Sequence, residues 1–212
     1  VNVQLSQDDD KKCSVILVVG AVKGVGKTFS SYNLANTLAD IGHKTLILDC
    51  DYKQGDIHLN TNQKKLKDIN LFIDNSERDY EEFLIRKNFY SIPRPSNFSK
   101  DSINLFSSSE YRKFLEDAKN NFDYIVLDTP PILAISDSLI LSQYSDIVLP
   151  VIRHEESTIV DFKRLLSEFS SINKNIDYFI YNGFKKPSGY YGYDYYSYKY
   201  YGGNYEYSQI DD

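Results

Sequence analysis

Ser14-Val-Ile-Leu-Val-Val-Gly20-Ala-Val-Lys-Gly-Val-Gly-Lys-Thr28 is the stretch on which the fold turns. Ser14 to Val19 is a continuous apolar run, too short for a helix, and it stops at Gly20, which marks a buried strand. From Thr28 to Ile41, Leu34, Leu38 and Ile41 recur at helical spacing, and Gly42 closes the segment. The turn between strand and helix is rich in glycine. Gly24 and Gly26 let its backbone curl so that N–H groups point inward, and the helix adds the positive end of its dipole. This is the context of a phosphate-binding loop, with Lys27 placed to reach the β- and γ-phosphates of a nucleotide and the Thr28 hydroxyl placed to ligate Mg²⁺. The usual leading Gly of such a loop is replaced by Ala21, with Gly20 one place earlier. A plain Gly-rich turn is the competing reading.

Two strand ends weigh against that plain turn. Thr45-Leu-Ile-Leu-Asp-Cys-Asp51 ends in carboxylates at i and i+2, and Tyr124-Ile-Val-Leu-Asp-Thr-Pro-Pro131 runs into Asp128. Each Asp alone would read as a strand-end cap. Together with the loop they predict a nucleotide site at the carboxyl edge of a parallel sheet, with Asp128 holding the metal's water shell beside Thr28.

The rest of the chain continues the alternation of strand and helix. A helix is expected over Asp79 to Lys87, a short extended piece ending at Ile92-Pro-Arg94-Pro95, and a helix opened by Ser107 and Glu110 with Tyr111, Phe114, Leu115 and Ala118 on one face. Strands are expected at 147–152 and 178–181, and a helix at 160–169 marked by Phe162, Leu165, Leu166 and Phe169. The fold class is therefore α/β, a P-loop NTPase with a mostly parallel central sheet and helices on both faces.

Composition narrows the function. The 212 residues carry 24 Lys and Arg against 30 Asp and Glu, a net charge of −6, which argues against non-specific nucleic-acid binding. At 42% apolar and 25% charged, the chain is of globular and not disordered type. No apolar run approaches the roughly 20 residues of a membrane-spanning helix. Cys13 and Cys50 adjoin strand-like runs, too few for a disulfide framework, and read as reduced thiols. The chain contains no Met and starts at Val1, so it is expected to be the cytoplasmic end of a longer protein.

One residue type is in excess. Of 19 Tyr, 10 fall within the last 23 positions, where Tyr190 to Tyr207 reads YYGYDYYSYKYYGGNYEY with no consistent period. The expected organisation is a compact domain over 1–189 and a flexible Tyr-rich tail over 190–212.

The loop, LILDCD, YIVLDTPP and the tyrosine cluster together resemble the cytoplasmic domain of the bacterial tyrosine kinases that regulate capsule and exopolysaccharide synthesis and export. The likeness spans nearly the whole chain and includes Ile92-Pro-Arg94 and Ile132-Leu-Ala-Ile-Ser-Asp137. It implies a kinase, dependent on ATP and Mg²⁺, that phosphorylates its own tail in trans between neighbouring subunits of a ring. Carried over by position, Lys23, Gly24, Val25, Gly26, Lys27, Thr28 and Phe29 bind nucleotide, Lys27, Asp49 and Asp51 are catalytic, and Thr28, Asp49 and Asp128 take the metal. Asp49 is the expected base and Asp51 its helper. The expected phosphoacceptors are Tyr190, Tyr191, Tyr193, Tyr195, Tyr196, Tyr198, Tyr200, Tyr201, Tyr205 and Tyr207. Asn182 matches a position near the adenine, with a turn residue beside Gly183 as the equal alternative. The resemblance also implies a membrane-embedded activator, in the same chain or a partner, and a place at the inner face of the bacterial plasma membrane.

There are departures from the family pattern. Lys53 stands where an Arg is usual, which keeps charge but loses a bidentate fork. The family's oligomerisation helix is missing upstream of the loop, where the chain reads only VNVQLSQDDDKK. Arg153 reads as a solvated surface residue, with phosphate sensing as the other reading, and His43, His58 and His154 carry no expected role. Two competing functions remain. A partition or septum-positioning ATPase would need a second Lys five residues before Lys27, where Val22 stands; a catalytically inactive nucleotide-binding scaffold would have no use for the full set Lys27, Asp49, Asp51 and Asp128. The tail's net charge of −3, one Lys against four acids, suggests that phosphorylation would expel it from a neighbour's site.

Overall fold

The computed structural model describes residues 13–64, 72–73, 75, 78–96, 102–176 and 178–184. The tail over 190–212, its phosphoacceptor tyrosines and the boundary at 189 lie outside the described residues.

Seven strands form one sheet in the order β3-β4-β2-β5-β1-β6-β7. They are β1 Ser14–Val19, β2 Thr45–Asp49, β3 Leu84–Arg86, β4 Phe89–Ile92, β5 Tyr124–Asp128, β6 Ile147–Arg153 and β7 Ile180–Asn182. Every pairing is parallel except β3 with β4. The three motif-bearing strands lie side by side, with β5 between β2 and β1. Because neighbouring parallel strands run the same way, their carboxyl ends share one edge of the sheet, and the motifs meet there.

The apolar runs are continuous because both faces of the sheet are covered. Val15, Leu17 and Val19 point to one face, and Ile16 and Val18 to the other. The second face is closed by Ala35, Leu38 and Ala39 of α1 (Lys27–Asp40) and by Ile57 of α2 (Ile57–Asn60). On the first face lie α3 (Ser102–Phe106), α4 (Ser109–Asn121), α5 (Asp137–Leu141) and α6 (Ile159–Ser171). Phe106, Tyr111, Phe114 and Phe169 are the largest side chains sealed there, and burial of each such ring is worth roughly 1.5–3 kcal/mol.

Three expectations are corrected. Asp79 to Lys87 is not a helix: the Asp79 carboxylate accepts from the Glu81 N–H and caps a single 3-10 turn, Tyr80–Phe83, after which Leu84 to Arg86 pairs antiparallel with β4. Asn88 takes φ +63° in the turn between these strands, a conformation Asn tolerates better than most residues, and the long-range ladder overrides local helix preference. The cap of α4 is Ser108 and not Ser107, since the Ser108 hydroxyl accepts from the Tyr111 N–H at 3.1 Å. In α6, Leu165 and Phe169 are buried as the spacing requires, while Leu166 stays 36% exposed.

Candidate functional site

The turn after β1 adopts the backbone that its glycines permit. Gly24 and Gly26 have φ of +86° and +97°, left-handed values that a side chain would strain, and Gly26 leads directly into α1. Gly20 takes over where the usual leading Gly is replaced: a Cβ there would crowd the buried Val25 side chain and the stem of Lys27. The start of the turn is fixed from the loop after β5, whose Ile132 N–H donates to the Gly20 carbonyl at 3.0 Å and whose Leu133 N–H donates to that of Ala21 at 3.3 Å.

Lys27 is buried, and its Nζ lies 3.5 Å from the Val22 carbonyl. Burial lowers its pKa, while the charges of Asp128 and Asp51 work the other way. Asp128 is sealed from solvent at the end of β5. Its Oδ1 accepts from the Ser31 hydroxyl of α1 at 3.0 Å, whereas its Oδ2 has no hydrogen-bond partner. Burial raises the carboxyl to about pH 6, against the pull of the Thr28 and Ser31 hydroxyls and of Lys27. A buried carboxylate oxygen with an open lone pair beside a loop threonine suits a hard cation. Among the described residues no three His, Cys, Asp or Glu gather as a cage. Mg²⁺ does not need one, because it draws much of its shell from phosphate and water.

Asp49 ends β2 as register partner of Asp128. Only 2% exposed, its carboxyl accepts from the Ile57 N–H at 3.2 Å and from the Asp51 N–H at 3.3 Å. Burial, followed by the charge of Asp128, holds it well above the ordinary carboxylate range. Asp51 is half-buried on the following loop and accepts from the Gln54 N–H at 2.9 Å. Cys50, between them, points to the opposite face against the Tyr111 hydroxyl, and neither Cys13 nor Cys50 is in a disulfide.

The sequence reading thus named residues that the fold gathers: the loop from Gly24 to Thr28, Asp49, Asp51 and Asp128. Lys23 is exposed and donates to Gln54 Oε1 at 2.7 Å, which ties the phosphate loop to the loop after β2. The Phe29 side chain is 66% exposed at the outer face of α1. Asn182 is the last residue of β7, not a turn residue after it, and its Nδ2 donates to the Val25 carbonyl at 3.0 Å.

Two residues, Ser31 and Gly55, were not named from the sequence, and two that were named, Arg94 and Arg153, were given no such contacts. Ser31 touches Asp128. Gly55 lies so close to the Asp49 carboxyl that any Cβ there would collide with it. Arg94 reaches the same loop, donating through Nε to the Gly55 carbonyl at 2.5 Å and through a terminal nitrogen to that of Tyr52 at 3.4 Å. Arg153, read as a solvated surface residue, donates to the Gly24 carbonyl at 2.8 Å. The place of Gly55, just after the LILDCD motif, was the signal that could have found it.

The tyrosine-protein kinase Ptk of Acinetobacter johnsonii is 30% identical over 183 residues, which cover 84% of this chain and 24% of that protein. The chain therefore spans about a quarter of the length of this curated relative. Among solved structures, the VpsO kinase domain is 28% identical with a TM-score of 0.72, covering 82% of this chain and 87% of that one. MinD of Aquifex aeolicus, a cell division protein, is 27% identical with a TM-score of 0.63, over 82% of this chain and 70% of that one. No helix among the described residues is long and apolar enough to cross a membrane. The family model of the AAA domain, AAA_31, matches residues 13–181, and the chain belongs to that family.

Proposed function

We propose that this chain is the catalytic domain of a protein tyrosine kinase that uses ATP and Mg²⁺ to phosphorylate its own C-terminal tyrosines in trans, and so regulates exopolysaccharide or capsule export. The observation that carries this reading is the meeting of Lys27, Thr28, Asp49, Asp51 and Asp128 at one sheet edge, in a chain whose relatives include a protein named tyrosine-protein kinase.

The division of labour follows from the surroundings of each group. The inward N–H groups from Lys23 to Phe29 cradle the phosphates, and Lys27 neutralises charge that builds on the transferring group. Thr28, Asp128 and Asp49 would hold Mg²⁺, which supplies charge neutralisation at the β- and γ-phosphate oxygens. As the tyrosine oxygen bonds to the γ-phosphorus, the bond to the β-phosphate oxygen breaks, ADP leaves, and the phenolic proton passes to Asp49. To accept it Asp49 must be ionised, against the burial that raises its proton affinity, and Asp51, on the half-exposed loop, orients the incoming hydroxyl. Asn182 acts on the nucleotide through the Val25 carbonyl of the phosphate loop. Ring assembly, a membrane-embedded activator and a cytoplasmic face at the plasma membrane belong to the same reading.

The test is incubation with Mg-ATP, with and without the activator, followed by mass spectrometry. Phosphate is expected on Tyr190, Tyr191, Tyr193, Tyr195, Tyr196, Tyr198, Tyr200, Tyr201, Tyr205 and Tyr207, and replacing these ten with Phe should abolish phosphotyrosine. Unchanged incorporation in the Phe variant would overturn the substrate assignment.

A further inference from the structure

Arg153 and Asn182 are register partners on β6 and β7, and each donates to a carbonyl of the phosphate loop. Arg153 holds the Gly24 carbonyl at 2.8 Å and Asn182 holds the Val25 carbonyl at 3.0 Å. The two strands are locked together at this level, because the His154 N–H donates to the Asn182 carbonyl at 2.9 Å. In a trans peptide the carbonyl and the following N–H point in opposite directions. Drawing the Gly24 and Val25 carbonyls outward to β6 and β7 therefore turns the Val25 and Gly26 N–H groups the other way, toward the concave side of the loop. Gly26 leaves room for this: a Cβ there would strike the Asn182 amide.

We propose that Arg153 and Asn182 are positioning residues that pre-organise the phosphate loop, acting on the phosphates through backbone N–H groups they orient and not by touching the nucleotide themselves. This rests on the nucleotide site of the proposed function and adds to it the device that keeps the loop shaped before ligand arrives. Pre-organised dipoles bind charge without reorganisation, so their loss appears in ligand affinity more than in fold stability.

The test is titration of the chain, and of its Arg153→Met and Asn182→Ala variants, with ATP and with inorganic triphosphate. Each variant should weaken both ligands by the same factor, about tenfold for Arg153→Met, the lower end of what a charge-assisted hydrogen bond contributes since Arg153 is exposed, and about fivefold for the neutral Asn182 amide. The ligand-free melting temperature should stay within a few degrees of the parent. The loss should persist at about 1 M salt, where screening falls to about 3 Å and removes any simple attraction between Arg153 and phosphate. Arg153→Lys, which keeps one donor, should recover part of the affinity.

Affinity unchanged in both variants, a loss confined to ATP, or a loss that vanishes in high salt would overturn the inference while leaving the kinase reading intact. A parent chain that binds neither ligand would overturn the nucleotide reading and this inference with it.

Discussion

Asp49 and Asp128 face each other as register partners at the carboxyl ends of β2 and β5, each almost sealed from water. Two carboxyl groups so placed cannot both ionise cheaply without a cation. Burial is the main cause of the shift in both, and it raises the Asp128 carboxyl from its ordinary 3.8 to about 6.

The shift fixes a pH dependence. A carboxyl whose pKa is higher in the folded than in the unfolded chain contributes stability that is fully present below the unfolded value and is lost as pH rises through the folded one. In the absence of Mg²⁺ and nucleotide, Asp128 should therefore withdraw on the order of 2 kcal/mol between pH 4 and pH 7, taking 1.36 kcal/mol per unit. Asp128→Asn does not titrate, so its stability relative to the parent should rise across that window in urea unfolding. Parallel curves for the two proteins would show that the carboxyl is not shifted.

Gly55→Ala should disturb the site through contact alone, since this glycine is outside the left-handed region. The new Cβ would push against the Asp49 carboxyl and break its bond from the Ile57 N–H. Overpacking of this kind costs about 1–3 kcal/mol. Tyrosine phosphorylation should fall more steeply than urea stability does, and a variant with full activity would mean that Asp49 has freedom the packing denies it.

The strand ends were legible in the sequence because short apolar runs that stop at Gly or Asp leave few other readings. Lys27, Asp49 and Asp128 could be named before their meeting was visible, since a parallel sheet brings successive strand ends to one edge. β3 was not legible: Leu84 to Arg86 is three residues long and held by pairing with β4, a partner that local preference does not reveal. Arg153 and Arg94 were hidden for a related reason. Each acts on a backbone carbonyl far away in sequence, and a carbonyl leaves no trace in residue type.

If Asp49 takes the tyrosine proton, Asp49→Asn should slow tail phosphorylation by about a hundredfold or more, the range of general-base contributions. Burial raises the Asp49 carboxyl, so the amide should lose little favourable charge interaction, but it gives up one of the two backbone N–H bonds that the carboxylate accepts. Asp51→Asn should slow transfer less. Single-turnover assays with Mg-ATP distinguish the two, and an Asp51→Asn defect larger than that of Asp49→Asn would reverse their order.

Arg94 offers the sharpest separation of binding from transfer. It is flanked by Pro93 and Pro95, whose rings narrow the backbone choices around it, so the guanidinium is presented in one direction from the end of β4. Its two bonds span the Tyr52 and Gly55 carbonyls, the ends of the loop that follows Asp51, while the Gly55 N–H returns to the Asp51 carbonyl at 2.6 Å. Lys cannot span both carbonyls, because its ammonium is a single point of donation. Arg94→Ala leaves part-buried carbonyls unpaired at a cost of about 1–3 kcal/mol, and Arg94→Lys should fall between it and the parent. As this loop carries Asp51 and backs Asp49 but forms no part of the phosphate turn, tail phosphorylation should drop while Mg-ATP affinity holds. Loss of affinity in proportion to rate would place Arg94 in nucleotide binding instead.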